Sequence, residues 1–179
     1  MVDDLYRIEG QAELIDGKIV RNGPHGLRPG VVAGRIMRRL GDYADARGVG
    51  VSLTATAGYA LPRRLPSGRE SFSPDASYHH GPLPTNPMRF IDGSPTFAVE
   101  IRSDGDYGQS AEAEMADKRA DYFQAGTLVV WDVDPVAGVI DFYRASDPRN
   151  PVRFAAGDTA TAEPAVPGWQ VAVDWVMRP

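Results

Sequence analysis

Two amphipathic stretches, each closed by a glycine, limit what this chain can fold into. From Val31 to about Arg47, apolar residues recur at Val32, Ile36, Leu40 and Tyr43, the three- and four-residue steps of one helical face, and Gly48 ends the run. Ser110 to Ala125 forms the clearer helix. Ser110 can cap it, Glu112 and Glu114 suit its positive end, and Gly126 closes it. The remaining chain is of strand and loop length. Ala12 to Val20 reads as two short strands around Asp16-Gly17, a strong hairpin signal, and Arg21–Gly30 as a polar, glycine- and proline-rich loop. Val51 to Leu61 alternates as a strand, followed by an arginine-rich loop over Pro62–Ser73. Asp75–Tyr78 and Pro95–Ile101 read as strands on either side of a proline-rich excursion, Gly81–Asp92. Two more strands start at Leu128 and Val139, and the tail offers candidates around Val152-Arg-Phe and Trp169-Gln-Val-Ala-Val. The order predicts an α/β or α+β protein, a sheet flanked by two principal helices.

The 179 residues suit one domain, 1–179, large enough to bury a sizeable core. No composition shift marks a second domain, and the apolar strand patterns persist to Trp175. No apolar run is long enough to span a bilayer, no signal peptide is visible, and without cysteine there is neither a disulfide framework nor a thiolate metal site. A cytoplasmic location without membrane contact is the expectation. A net charge of −5 argues against a protein that coats nucleic acid by charge alone. Local clusters exist, Arg35, Arg38 and Arg39 on one segment and Arg63, Arg64 and Arg69 on another, although such runs are more often solvated faces.

Two carboxylates have telling settings. Asp75 follows Pro74 in Ser-Pro-Asp-Ala-Ser-Tyr, and Glu100 closes Thr96-Phe-Ala-Val-Glu. A carboxylate at the end of an apolar strand costs several kcal/mol to desolvate without a cation beside it. Alone, Asp75 reads as readily as the start of a turn, and Glu100 as a solvent-facing edge residue. On the second helix, Lys118 falls in the stripe of Ala111, Tyr122 and Ala125, with Met115 at its edge. A lone lysine there usually snorkels to water. The sharper alternative aims it at the sheet, where Asp75 and Glu100 supply counter-charge, because the helix follows the Glu100 strand directly. Carboxylates suit Mg²⁺, which polarises a phosphoryl oxygen and acidifies a bound water, while an ammonium offsets charge developing on the phosphate. The three residues make an economical phosphodiester-cleaving set.

At this point the sequence resembles the Uma-two family of restriction-endonuclease-like proteins, within the PD-(D/E)XK nuclease superfamily. The resemblance runs through most of the chain: Ala12-Glu-Leu-Ile-Asp-Gly-Lys-Ile-Val, Pro24-His25, Pro74-Asp75, Ala98-Val-Glu-Ile-Arg-Ser, and Lys118-Arg-Ala-Asp-Tyr-Phe-Gln-Ala-Gly leading into Val130-Trp-Asp-Val-Asp-Pro. No single piece is specific; their order and spacing together are. The resemblance implies a central mixed sheet with flanking helices, a Mg²⁺ (or Mn²⁺) site at Asp75, Glu100 and Ile101, and a DNA substrate. The usual superfamily pattern has its lysine two residues after the glutamate, where this chain has Arg102, which cannot act as a base. The resemblance places the lysine on the helix instead, at Lys118. Glu13 matches the acidic residue of the N-terminal motif, either reaching the metal and its waters or remaining a hairpin surface charge. His25 matches a loop histidine and is a candidate for phosphate contact, the alternative being a surface or structural hydrogen-bonding residue. His79 and His80 are adjacent and point to opposite faces of a strand, so they cannot share one ion. Trp131 and Tyr122 read as core.

Two function classes compete. The first is a Mg²⁺-dependent endodeoxyribonuclease, for which a homodimer is the expectation because cutting both strands is easiest with two sites. The second is a catalytically silent copy of the fold serving as a binding or assembly module. A third, an unrelated β-rich sugar or small-ligand binder, rests only on the strand and turn content and gains weight if Asp75 and Glu100 lie far apart.

Overall fold

The computed structural model describes residues 1–23 and 26–178. Asp16 and Gly17 both take positive φ, 52° and 71°. That is the type I′ geometry whose twist suits a two-residue hairpin between β1 (Ala12–Ile15) and β2 (Lys18–Arg21). A short 3-10 helix, Val2–Arg7, precedes the pair. Helix α1 (Leu27–Arg47) starts four residues before Val31, inside the segment expected to be loop. Pro29 lies in its first turn, where a missing N–H costs nothing. Gly48 ends α1 in the left-handed conformation, as the sequence predicts.

The expected strand from Val51 to Leu61 breaks into β3 (Val51–Thr54) and β4 (Tyr59–Ala60), because the chain turns after Thr54, whose carbonyl accepts from Ala57 N–H. The supposed loop after Pro62 contains β5 (Ser71–Phe72), and β6 spans Ala76–His79. The excursion ends in β7 (Ile91–Asp92), which joins β4 and β5 in a small three-stranded sheet. Strand β8 (Phe97–Ile101) leads into α2 (Gln109–Gln124). Gly108 rather than Ser110 occupies the N-cap of α2; the Ser110 hydroxyl faces Glu114 instead. The remaining strands are β9 (Val129–Asp134), β10 (Val139–Arg144), β11 (Asp147–Phe154), β12 (Thr159–Thr161) and β13 (Gln170–Ala172). The tail closes with α3 (Val173–Met177), which takes Trp175 into a helix.

The main sheet has the order β11-β10-β9-β8-β6-β3. Only β8 and β9 run parallel, joined by α2 as a crossover; the other neighbours are antiparallel. Strand alternation then decides which chemistry meets which helix. Phe97, Val99 and Ile101 of β8, with Val129, Trp131 and Val133 of β9, face the core formed with Val32, Ile36 and Leu40 of α1. Tail residues Trp169, Val171, Val173 and Val176 pack into the same cluster. The alternate positions, Ala98, Glu100, Val130 and Asp132, fall on the opposite face, where Ala98 and Val130 pack with Tyr122 of α2. Glu100 and Asp132 are register partners across the parallel pair. Among the described residues no helix is long and apolar enough to cross a membrane.

Candidate active site

On the α2 side of the sheet lies a cleft of about 770 Å³. Glu13, Asp75, Glu100, Ile101 and Lys118 all line it. They come from four elements: the β1 hairpin, the residue before β6, the C-terminal end of β8, and α2. The antiparallel β6/β8 pairing sets Asp75 at the entry of β6 against the exit of β8. The Ile101 N–H donates to Asp75 Oδ2 at 2.7 Å. Ile101 itself is a buried apolar side chain, so it can offer a cation only its main-chain carbonyl.

Lys118 does not snorkel. Its ammonium donates to Glu100 Oε2 at 2.9 Å and lies 3.1 Å from Glu13 Oε1. The other Glu100 oxygen accepts from the Tyr122 hydroxyl at 2.6 Å. Lys118 and Tyr122 are i and i+4 on α2, so one helical face delivers both donors to one carboxylate. Glu13 is buried rather than a hairpin surface charge. Its Oε1 also accepts from the Ser73 N–H at 2.9 Å, and its Oε2 from Arg69 at 2.6 Å. Arg69 in turn donates to Asp121 at 2.8 Å, so a buried chain of alternating charge ties the hairpin to α2. Stacking of Phe72 on Tyr122, with ring centroids 4.1 Å apart, closes the floor of this arrangement.

The neighbouring carboxylate is held differently. Asp132 accepts two bonds from Arg102, both at 2.9 Å, and one from Arg119 at 2.9 Å. Arg102 also pairs with Glu112. Arg119 stacks over Tyr143, 4.3 Å from the ring centroid. Two guanidinium groups therefore clamp one buried carboxylate, Arg102 in the fork geometry that makes such pairs strong and Arg119 through a single bond. Asp132 and Arg119 line the cleft; Arg102 does not.

The electrostatics follow from burial and neighbours. Burial pushes the Glu100 carboxyl up to about 7, and the charges of Asp75 and Glu13 push the same way, against the pull of Lys118 and the Tyr122 hydrogen bond. For Lys118, burial acts downward but is outweighed by Glu100 and Glu13, which hold the ammonium above the ordinary lysine value. Glu13 stays below the usual carboxylate range because Lys118 and Arg69 overcome its burial. Burial raises Asp132 despite Arg102. Arg102 is held above its ordinary value by its bonds to Asp132 and Glu112.

The sequence-derived set thus meets in one place, with Asp75, Glu100, Glu13 and Lys118 on a single cleft. His25 lies outside the described residues. His79 is buried in β6 while His80 is exposed, consistent with their facing opposite ways. Four participants escaped the sequence reading. Arg69 looked like part of a solvated arginine run, Tyr122 was read as core alone, and Asp132 and Arg119 were not singled out. Asp132 did carry a signal, an aspartate inside the otherwise apolar Val-Val-Trp-Asp-Val run.

The six-stranded mixed sheet, its α2 crossover and the cleft beside it define a restriction-endonuclease-like fold. That fold is shared with a crystal structure described as a "putative nuclease belonging to DUF820" from Anabaena variabilis ATCC 29413: TM-score 0.74 and 15% identity, over 98% of this chain and 96% of that one. Residues 2–174 match the Uma2 (Uma-two) family, described as "Putative restriction endonuclease", and the chain belongs to that family. No curated protein matches it.

Proposed function

We propose that the chain is a divalent-metal-dependent endonuclease that hydrolyses phosphodiester bonds of DNA in the cleft, with Asp75 and Glu100 as the metal-binding carboxylates. The observation that carries the reading is the Lys118 ammonium held between Glu13 and Glu100 on the wall that Asp75 shares. Among the described residues no group of three or more acidic, histidine or cysteine side chains is arranged to hold a metal. A site of two carboxylates, completed by water and the Ile101 carbonyl, is what Mg²⁺ prefers, and Mn²⁺ takes the same donors. The donor pair suits such an ion on electrostatic grounds too, since burial and Asp75 leave Glu100 short of positive charge. When bound, the ion supplies a Lewis acid for a phosphoryl oxygen and an acidified water.

The chain's own residues do the rest. Lys118 stays protonated, so it serves as a cation and not as a base. Two of its three N–H groups face Glu13 and Glu100, which leaves the third for a non-bridging phosphate oxygen. Glu13, with its own oxygens engaged by Arg69 and Ser73, fixes where that ammonium sits. Tyr122 holds the second Glu100 oxygen in place. Arg102 is committed to Asp132 and Glu112 and takes no part in the chemistry. Two such clefts, in a homodimer, would cut both strands of a duplex.

Plasmid cleavage with Mg²⁺ and with Mn²⁺ tests this. Lys118→Met keeps the stem and should fold and bind metal, yet lose cleavage by a factor of about 100 or more. Arg102→Met should retain most cleavage. A dead Arg102→Met beside a normal Lys118→Met would put the active-site cation in the wrong place. Metal binding without cleavage by the wild type would favour the silent binding module.

The same reading treats residues 1–179 as one domain, on the support of the tail packing of Trp169, Val171 and Val176 against Trp131 and Phe97. Trimming from Gly168 onward should lower the thermal midpoint by at least several degrees; an unchanged melting curve would show the tail to be merely attached.

A further inference from the structure

In a chain of net charge −5, five of the arginines gather in one patch along α1 and α3. Arg28, Arg35 and Arg39 are spaced i, i+7 and i+11 on α1, which at about 100° per residue aligns them along one flank of the helix. Arg38 lies beside that line, and Arg178 joins from the end of α3. The groups are held in place largely by neutral partners. Arg28 donates to the Pro135 and Met177 carbonyls at 2.6 and 3.3 Å. Arg35 donates to the carbonyls of Val176 and Arg178. Arg38, Arg39 and Arg178 lie over the half-buried Trp175, at 5.6, 4.8 and 5.4 Å from the ring centroid.

For Arg28, Arg38, Arg39 and Arg178, carbonyls and an indole order the guanidinium without cancelling its charge. Among the described residues no carboxylate forms an ion pair with Arg28, Arg38, Arg39 or Arg178, whereas Arg69, Arg102, Arg119 and Arg153 each have at least one. The crowding is felt: after desolvation, the charges of Arg178, Arg38 and Arg28 push the Arg35 guanidinium below its ordinary value. Like charges held together on an exposed surface lower their energy when a polyanion arrives.

One end of the patch, at Arg28, approaches the rim of the cleft. Arg21, Asn22 and Gly23 lie on the cleft wall, and α1 begins at Leu27. At the other contact, Arg28 grips the carbonyl of Pro135; its neighbour Asp134 accepts from Tyr107, another cleft residue, at 3.0 Å. From that end the arginines run along α1 and α3, on the face of the sheet opposite the cleft. We propose that they form a track for the sugar-phosphate backbone of the nucleic acid, gripping the duplex outside the segment being cut. The nuclease reading enters only in the choice of polyanion.

The track predicts a salt-dependent share of binding that does not depend on the metal. Fluorescence anisotropy of a labelled DNA duplex, with EDTA present so that nothing is cut, measures it over a series of salt concentrations. Each phosphate contact contributes about 0.9 to the slope of log affinity against log salt. Arg38→Gln with Arg39→Gln should therefore lower the slope by about 2 and weaken binding at least tenfold at low salt. Arg38→Lys with Arg39→Lys should restore most of the slope, which a purely structural role for the arginine–Trp175 stack would not do. Melting curves confirm that both variants fold. In Mg²⁺, the glutamine variant should raise KM for long duplexes while leaving kcat unchanged.

An unchanged slope in the glutamine variant overturns the track. So does a wild type that binds no DNA but binds anionic phospholipid vesicles or associates with itself, because the patch would then serve a membrane or a second copy. A wild type that binds DNA with a slope the glutamine variant loses, yet cuts nothing, refutes the nuclease reading and leaves the track standing. A wild type that cuts, with equal slopes in both proteins, refutes the track alone.

Discussion

Glu100 and Asp132 sit side by side on β8 and β9, on the same face of the sheet and under the same helix, yet they live in opposite circumstances. Asp132 has two guanidinium groups bound to it, Arg102 in forked geometry and Arg119 through a single bond, with Arg102 shared with Glu112. Glu100 has one ammonium, shared with Glu13, one phenol, and the charge of Asp75 against it. A buried carboxylate held by two guanidinium groups acts as structure, whereas one that shares a single ammonium and faces a second carboxylate on a cleft is a place for a cation to enter. Arg102, two residues beyond Glu100, turns to the neighbouring strand and serves Asp132 there.

The comparison can be broken at its structural half first. Asp132→Ala leaves Arg102 and Arg119 largely buried without their shared counter-charge, a change that typically costs about 3 to 5 kcal/mol. Urea unfolding should show this as a large drop in the midpoint. A loss below about 1 kcal/mol would mean that the clamp is only a surface ion pair in effect.

At the other half the effect on stability should be small. Glu100→Gln removes a charge that burial and Asp75 already oppose, while Lys118 keeps Glu13 and Tyr122 keeps a hydrogen-bond partner. The same urea experiment should register a change of about 1 kcal/mol or less, in either direction. If Glu100→Gln unfolds the protein as readily as Asp132→Ala does, the two carboxylates are both structural and the distinction collapses.

What the sequence made legible was whatever depends on local pattern. The Asp-Gly turn predicts the hairpin, glycine closes both long helices, and the three-four spacing on α2 puts Lys118 in the apolar stripe, which leaves snorkelling and facing the sheet both open. Asp75 and Glu100 were legible because an acid at a strand end stands out against its apolar neighbours. Other features depended on contacts distant in sequence. Arg69 meets Glu13 across 56 residues and Asp121 across 52, so nothing local separates it from the solvated Arg63 and Arg64. Asp132 needed the β8/β9 register to place it beside Glu100, and the break in the strand after Thr54 needed the small sheet that captures β4. The arginines of α1 were visible as a cluster, but their continuity with Arg178 exists only because α3 folds back along the helix.

The central claim is that Asp75 and Glu100 together hold a divalent ion. Isothermal titration of the wild-type protein with Mn²⁺, alongside Asp75→Asn and Glu100→Gln, tests it directly. The account predicts one saturable site per chain in the wild type and its loss in both variants, with all three proteins folded. A wild type that takes up no ion, or an Asp75→Asn protein that binds Mn²⁺ as the wild type does, would contradict it.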